Sequence, residues 1–314
     1  MKEPRGVLCI PPTKMKYKNN KQENYKNILC PICKSDSIKK DGKRKTQNRG
    51  LIQRYKCKKC NHRFIIDDGF YRMRNNPQKI TYALDLFYNG VSTRKVQQHF
   101  KAFLPHNSSN VSIYNWVVKY SKMISKFTDK LKINSGTEVQ VDEMEYKTRG
   151  KKSWFIDSID TETRFMVASE FTKTREKKEI QEVLVKVKYK TEGYVTTITT
   201  DGYRAYDNLV SKTFGWSNKK QRYNVIHNKV TQLKGEGFNI FIERLHNSIR
   251  ERTKIFRGFH GSIESANSIM KGYEIFYNFI RKHQAINKCP YELATDLKLN
   301  SENKWLELIR LSTF

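Results

Sequence analysis

Three acidic residues and four cysteines stand where their type and spacing could support chemistry. Asp142 closes the alternating stretch Thr137-Glu-Val-Gln-Val-Asp142, which reads as a strand, and Asp201 follows the β-branched run Tyr194-Val-Thr-Thr-Ile-Thr-Thr200. Glu243 lies in the stretch 238–250, where Ile242, Leu245 and Ile249 recur three and four apart and predict a helix. Glu243, Asn247 and Arg250 share another face of it, one turn above the next. Carboxylates at two strand ends, joined by a third from a neighbouring helix, can hold hard cations through oxygen. Two Mg²⁺ ions (or Mn²⁺) ~3.5–4 Å apart would then clamp the attacking and leaving oxygens of an in-line phosphoryl displacement. Taken singly, either aspartate is a turn cap and the Glu243/Arg250 pair a surface ion-pair stripe. No Gly-x-Ser-x-Gly, Walker loop or His-Glu-x-x-His offers a competing set.

The cysteines form two knuckles, Cys30-Pro-Ile-Cys33 and Cys57-Lys-Lys-Cys60, with 23 residues between them. Four thiolates suit a tetrahedral structural Zn²⁺ at ~2.3 Å, and Tyr55 and Phe64 would cover the small core of a zinc ribbon. Paired knuckles in a chain without a secretory leader point to metal and a reducing cytosol, not a disulfide framework. Cys9 reads as a free thiol, and Cys289, before Pro290 at a helix stop, as a buried one.

The 314 residues carry a formal net charge of +30 that is unevenly spread. Residues 1–136 hold 30 Lys and Arg against 8 Asp and Glu, a net of +22, and the remainder holds 31 against 23, a net of +8. Such a field favours nucleic acid. With no run of about 18 apolar residues, a membrane role is not expected.

The chain divides into five stretches. Residues 1–27, Lys/Asn-rich and without an apolar period, are expected to be a disordered basic arm. Residues 28–66 are the zinc ribbon, with Lys39, Lys40, Lys43, Arg44, Lys45 and Arg49 as a DNA-gripping tongue between the knuckles. Residues 78–130 read as three helices, an all-α, helix-turn-helix-like DNA-binding region. Ser92 caps the second, and a third from near Ser112 carries Ile113, Trp116, Val117, Tyr120 and Ile124 inward and Asn115, Lys119 and Lys122 outward. A plain helical linker is the alternative, because the connection over 104–111 exceeds the usual turn. Residues 137–290 hold three successive strands, then helix, strand, helix, strand and two helices, an α/β sheet with flanking helices. Residues 291–314 are a C-terminal tail.

Val141-Asp142-Glu143, Thr200-Asp201-Gly202-Tyr203 and Glu243-Arg244-Leu245-His246-Asn247, with Arg250 seven positions on, resemble together the DDE transposases of prokaryotic insertion sequences. The resemblance covers about residues 28–290 and implies a ribonuclease-H-like mixed sheet. It also implies metal ligation by Asp142, Asp201 and Glu243, with Arg250 steadying the phosphate or Glu243. The implied activity is cleavage of double-stranded DNA at the ends of a mobile element, then joining of the freed 3′-hydroxyl to target DNA. A homodimer or larger synaptic assembly and a cytoplasmic, nucleoid-associated location follow. One departure is the 41-residue interval between Asp201 and Glu243, longer than is common in the family, with the stretch 233–237 as the expected insertion. The rival acids are Glu143, Glu145, Asp157, Asp207, Glu236 and Glu251; Asp157 and Asp160 could approach the site from the second strand, but a solvated turn is expected of them. His227 and His246 read as hydrogen-bonded structural histidines more readily than as metal or phosphate contacts. The other functional readings are a DNA-binding regulator with an inert nuclease-like domain and a nuclease without strand transfer.

Overall fold

The computed structural model describes residues 28–46, 50–104, 108–217, 222–230, 239–256 and 258–313. The expected basic arm with Cys9, Arg49, the stretch 233–237 and its Glu236 lie outside these residues. The chain forms two compact units, Met1–Ile66 and Asp67–Phe314.

In the first unit, β1 (Ile38–Thr46), β2 (Gly50–Cys57) and β3 (Arg63–Ile65) make an antiparallel sheet in the order β1-β2-β3. Each Cys-x-x-Cys pair closes a tight knuckle. Lys34 donates its N–H to the Cys30 carbonyl at 2.9 Å and Asn61 to that of Cys57 at 3.1 Å. Both donors take a left-handed backbone, φ 57° and 62°. That turn aims the two thiols of a knuckle to one side, and Tyr55 stacks on Phe64 behind them.

The second unit opens with α1 (Pro77–Tyr88), α2 (Thr93–Phe103) and α3 (Asn110–Thr128). Asn76, Ser92 and Ser109 cap them by accepting backbone N–H bonds, and Gly90, at φ 91°, ends the turn after α1. The stripe Ile113, Trp116, Val117, Tyr120 and Ile124 is buried, while Asn115, Lys119 and Lys122 are exposed.

The sheet-containing half is built from β4 (Glu138–Thr148), β5 (Lys151–Asp160), β6 (Met166–Thr172), α4 (Lys177–Lys190), β7 (Thr197–Asp201), α5 (Tyr206–Phe214), the short ribbon β8 (Trp216–Ser217) and β9 (Arg222–Tyr223), β10 (Ile226–Val230), α6 (Ile240–Thr253) and α7 (Ile263–Ile275). A π-helical turn, Phe276–Ile280, prolongs α7, and α8 (Tyr291–Ala294) and α9 (Lys304–Leu311) follow. The five-stranded sheet runs β10-β7-β4-β5-β6. β4, β5 and β6 are antiparallel neighbours, and β7 and β10 add in parallel. This is the expected ribonuclease-H-like mixed sheet. Arg149 and Gly150, both at positive φ, turn β4 directly into β5. The β8–β9 ribbon lies inside the long interval between Asp201 and Glu243.

α3 lies along α7, which also packs on β6, so the helical region and the sheet share one core. Gly272 permits the close approach: a Cβ there would sit 1.8 Å from Tyr88 Oη and 2.2 Å from Ser121 Oγ, two atoms that hydrogen-bond each other at 2.7 Å. Beside this contact three buried charges meet a partly exposed one. Lys271 and Glu274 of α7, Lys190 at the end of α4, and Asp129 capping α3 pair at 3.0–3.4 Å, and Ser169 of β6 donates to Glu274 at 2.6 Å. Gly272→Ala should lower unfolding free energy by about 1–3 kcal/mol, the usual cost of overpacking, as measured by urea denaturation.

Candidate active site

The parallel pairing of β4 with β7 ends at Val141↔Thr200, and each strand then places an aspartate at its next position, Asp142 and Asp201. On the other side, Asp142 is the direct cross-strand partner of Asp157 on β5. Three aspartates therefore stand in one row across β7, β4 and β5. Asp142 does not end its strand, as expected from sequence: β4 continues to Thr148 because β5 keeps pairing with it after β7 has stopped.

Local bonds orient both outer carboxylates. Asp142 Oδ1 accepts the N–H of Glu143 at 2.8 Å, and Asp201 Oδ1 accepts that of Tyr203 at 2.9 Å. Burial pushes the Asp142 carboxyl up to about 7; His246 and the Glu143 N–H oppose the shift, and the Glu143 and Asp157 carboxylates add to it. The solvated-turn expectation for Asp157 and Asp160 is wrong. Both are fully buried, because the pairing of β5 continues to Asp160, which binds the Gly136 N–H at 3.1 Å. Asp157 accepts from His246 Nε2 at 2.8 Å, and His246 Nδ1 lies 3.5 Å from Asp142 Oδ2. Burial alone would lower the His246 imidazole, but the Asp157 and Asp142 carboxylates outweigh it and hold it above its ordinary value.

Glu143, one of the rival acids, is buried beside the row. It accepts the Tyr206 hydroxyl at 2.7 Å and pairs with Arg175 at 3.1 Å. Other rivals are engaged elsewhere: Asp207 pairs with Lys229 at 2.8 Å and Glu145 with Lys152 at 3.0 Å, while Glu251 is exposed. His227 Nε2 meets Thr200 Oγ1 at 2.9 Å, a structural contact.

α6 buries Ile242, Leu245, His246 and Ile249 against the sheet and exposes Glu243, Asn247 and Arg250. Glu243 is in its first turn. Among the described residues, the one set of three or more potential ligand atoms within 4.8 Å of one another is that of the four cysteines. Asp142 and Asp201 follow the last paired positions of adjacent strands and Glu243 lies on α6, but the three carboxylates do not form such a set.

In the ribbon, Cys30 and Cys60 Sγ lie 3.5 Å apart, as do those of Cys33 and Cys57. Zinc with four sulfurs at ~2.3 Å requires sulfur separations of about 3.8 Å, so the donors fit that ion. Backbone N–H groups of Cys60 and Lys59 pull the Cys57 thiol down to about 6 against burial. The His62 N–H favours the Cys60 thiolate, but burial and the neighbouring thiols push it up to about 12. A cation removes that mutual repulsion.

Residues 136–284 match the family described as a DDE domain. The chain therefore carries a stretch that is similar to a DDE domain. This domain begins just before β4 and spans the aspartate row, α6 and α7. An insertion element ISM1 protein of 48.3 kDa from Methanobrevibacter smithii is 23% identical over 295 residues, 84% of this chain and 70% of that protein. Among solved structures, the HTLV-2 integrase catalytic core in complex with magnesium (trimeric form) is 14% identical, over 51% of this chain and 96% of that one, at a TM-score of 0.38. The simian T-cell lymphotropic virus intasome with the PP2A subunit B56 gamma is 11% identical over 67% and 73%, at 0.39. Among the described residues no helix is long and apolar enough to cross a membrane.

Sequence reasoning named Asp157 only as a rival acid and favoured a solvated turn for it, and it did not find Tyr206 or Arg175. For Asp157 the signal was present: an acid at the centre of the apolar run Phe155-Ile-Asp-Ser-Ile159 must be paired if the strand is buried. Asp157→Asn leaves His246 without its counter-charge. It should destabilise the protein by about 3–5 kcal/mol in urea denaturation, and the His246 resonances should titrate at lower pH than in the parent.

Proposed function

We propose that the transposase cuts double-stranded DNA at the ends of a mobile element and joins the freed 3′-hydroxyl to target DNA, using divalent ions held by Asp142, Asp201 and Glu243. The observation that carries this reading is the pair of aspartates side by side at the point where β4 and β7 part. Their oxygens are the hard donors that Mg²⁺ or Mn²⁺ takes. Two such ions supply Lewis-acid stabilisation of the charge that develops on a phosphodiester under attack. The chain's own residues do the rest. Backbone N–H groups fix the rotamers of Asp142 and Asp201. His246, braced by Asp157, neutralises part of the acid row before any ion arrives. Glu243 closes the ligand set from α6, and Arg250, exposed two turns further along, steadies the phosphate. Two DNA ends in one reaction call for at least a dimer. The inert-regulator reading leaves the clustered carboxylates without a purpose, since a charge row in a partly buried site costs stability.

Asp142→Asn and Glu243→Gln should each bind duplex DNA as the parent does and lose Mg²⁺-dependent nicking and joining by more than about 100-fold. Full activity in Asp142→Asn would exclude this site.

With the Asp142 carboxyl at about 7, an ion must displace a proton below that pH. At sub-saturating Mg²⁺, nicking should therefore rise up to about tenfold per unit of pH below 7 and level off above 8, and saturating Mg²⁺ should move the rise to lower pH.

Cys30, Cys33, Cys57 and Cys60 are proposed to hold one structural Zn²⁺. Elemental analysis of purified protein should give about one zinc per molecule, and Cys57→Ser should reduce that and release the ribbon to proteolysis.

A further inference from the structure

Arg175, in the connection from β6 to α4, is built into the mouth of the aspartate site. Its guanidinium carbon lies 4.1 Å from the centre of the Trp154 ring and 4.5 Å from that of Tyr203. Nη1 donates to Glu143 Oε1 at 3.1 Å. The contacts connect it to both arms of the site, because Glu143 directly follows Asp142 and Tyr203 lies two residues after Asp201. The side chain is nonetheless 37% exposed, whereas that of Glu143 is 2% exposed.

This combination is more than a counter-ion needs. A buried Glu143 already receives the Tyr206 hydroxyl at 2.7 Å, and one guanidinium N–H completes it. Two rings close to the guanidinium restrain Arg175, and a side chain 37% exposed keeps donors to spare in a group that carries five N–H bonds. A fixed guanidinium edge is the geometry that binds a phosphate with two parallel N–H bonds. Lys173, Lys177 and Lys178 stand exposed on either side of it, which adds long-range attraction for a polyanion.

We propose that Arg175 is a phosphate-binding residue of the active site, gripping a DNA backbone phosphate at the mouth of the Asp142/Asp201 pair. This rests on the transposase reading for the identity of the anion. Glu143 and the two rings pre-organise the guanidinium, so little side-chain freedom is lost when DNA arrives. The grip is separate from Arg250, which approaches from α6.

The test uses full-length protein and a labelled 30-bp duplex in Ca²⁺, with affinity followed by anisotropy between 50 and 200 mM KCl. Arg175→Gln alone would strand the buried Glu143, so the double variant Glu143→Gln/Arg175→Gln is used, which removes both charges and leaves the net charge unchanged. One lost phosphate contact should reduce the slope of log K against log salt by about 0.9. Arg175→Lys, which keeps the charge and loses the fork, should keep the slope and bind several-fold more weakly. In Mg²⁺, both should raise KM for nicking more than they lower kcat. A double variant with the parent's slope, or Arg175→Lys with the parent's affinity, overturns the proposal. A parent protein that binds the duplex but nicks nothing in Mg²⁺ would instead overturn the transposase reading, because the salt slope needs no chemistry.

Discussion

Like charge gathered in a poorly hydrated place is the constraint around which this molecule is arranged. Asp142, Glu143, Asp157 and Asp201 crowd the end of one sheet, and burial pushes the first three upward. Each is met by something that offsets it: His246 between Asp142 and Asp157, Arg175 and Tyr206 at Glu143, and backbone N–H groups at Asp142 and Asp201. The innermost acids are satisfied by protein groups. On the proposed reading, Asp142 and Asp201 keep carboxylate oxygen for a divalent ion.

A second set of mostly buried charges does structural work. Lys190, Lys271, Asp129 and Glu274 tie the ends of α3 and α4 to α7 and β6. Burial would lower the Lys271 ammonium, but Glu274 and Asp129 outweigh it and raise it above its ordinary value. Removing one partner of such a group is far more costly than exchanging the whole set for apolar residues. Together with the close α3–α7 contact at Gly272, the network makes the helical region part of the fold of the sheet-containing half.

Local pattern was enough to find most elements and to place the candidate side chains on them. The β-branched run before Asp201, the stripe on α6, the caps at Ser92 and Asn89-Gly90, and the doubled knuckle are all signals contained in a few neighbouring residues. What could not be read depends on pairing between distant segments. The alternation around Asp142 says which way it faces but not that β4 runs on to Thr148, because that length is set by β5. Asp157 was misplaced for the same reason, since only the register of the β4–β5 hairpin sets it opposite Asp142. Arg175 had no signal of its own: its role arises from Trp154, Tyr203 and Glu143, which three different strands or their ends bring to it.

The anchoring of α6 has a consequence for how the last acid joins the others. Near its start, the Ile242 N–H is bound by Gln140 at 3.2 Å and His246 by Asp157; near its end, Thr253 meets Tyr146 at 3.1 Å, and Phe259 then bonds Lys147 at 2.8 Å. A rod pinned to β4 and β5 along its length cannot swing as a whole without breaking these bonds. The degree of freedom left at Glu243 is its own exposed side chain, and ordering a glutamate side chain costs up to about 2 kcal/mol of entropy. On the proposed reading, closing the ligand set is then a rotamer selection on the sub-microsecond scale of side-chain motion, not a domain rearrangement.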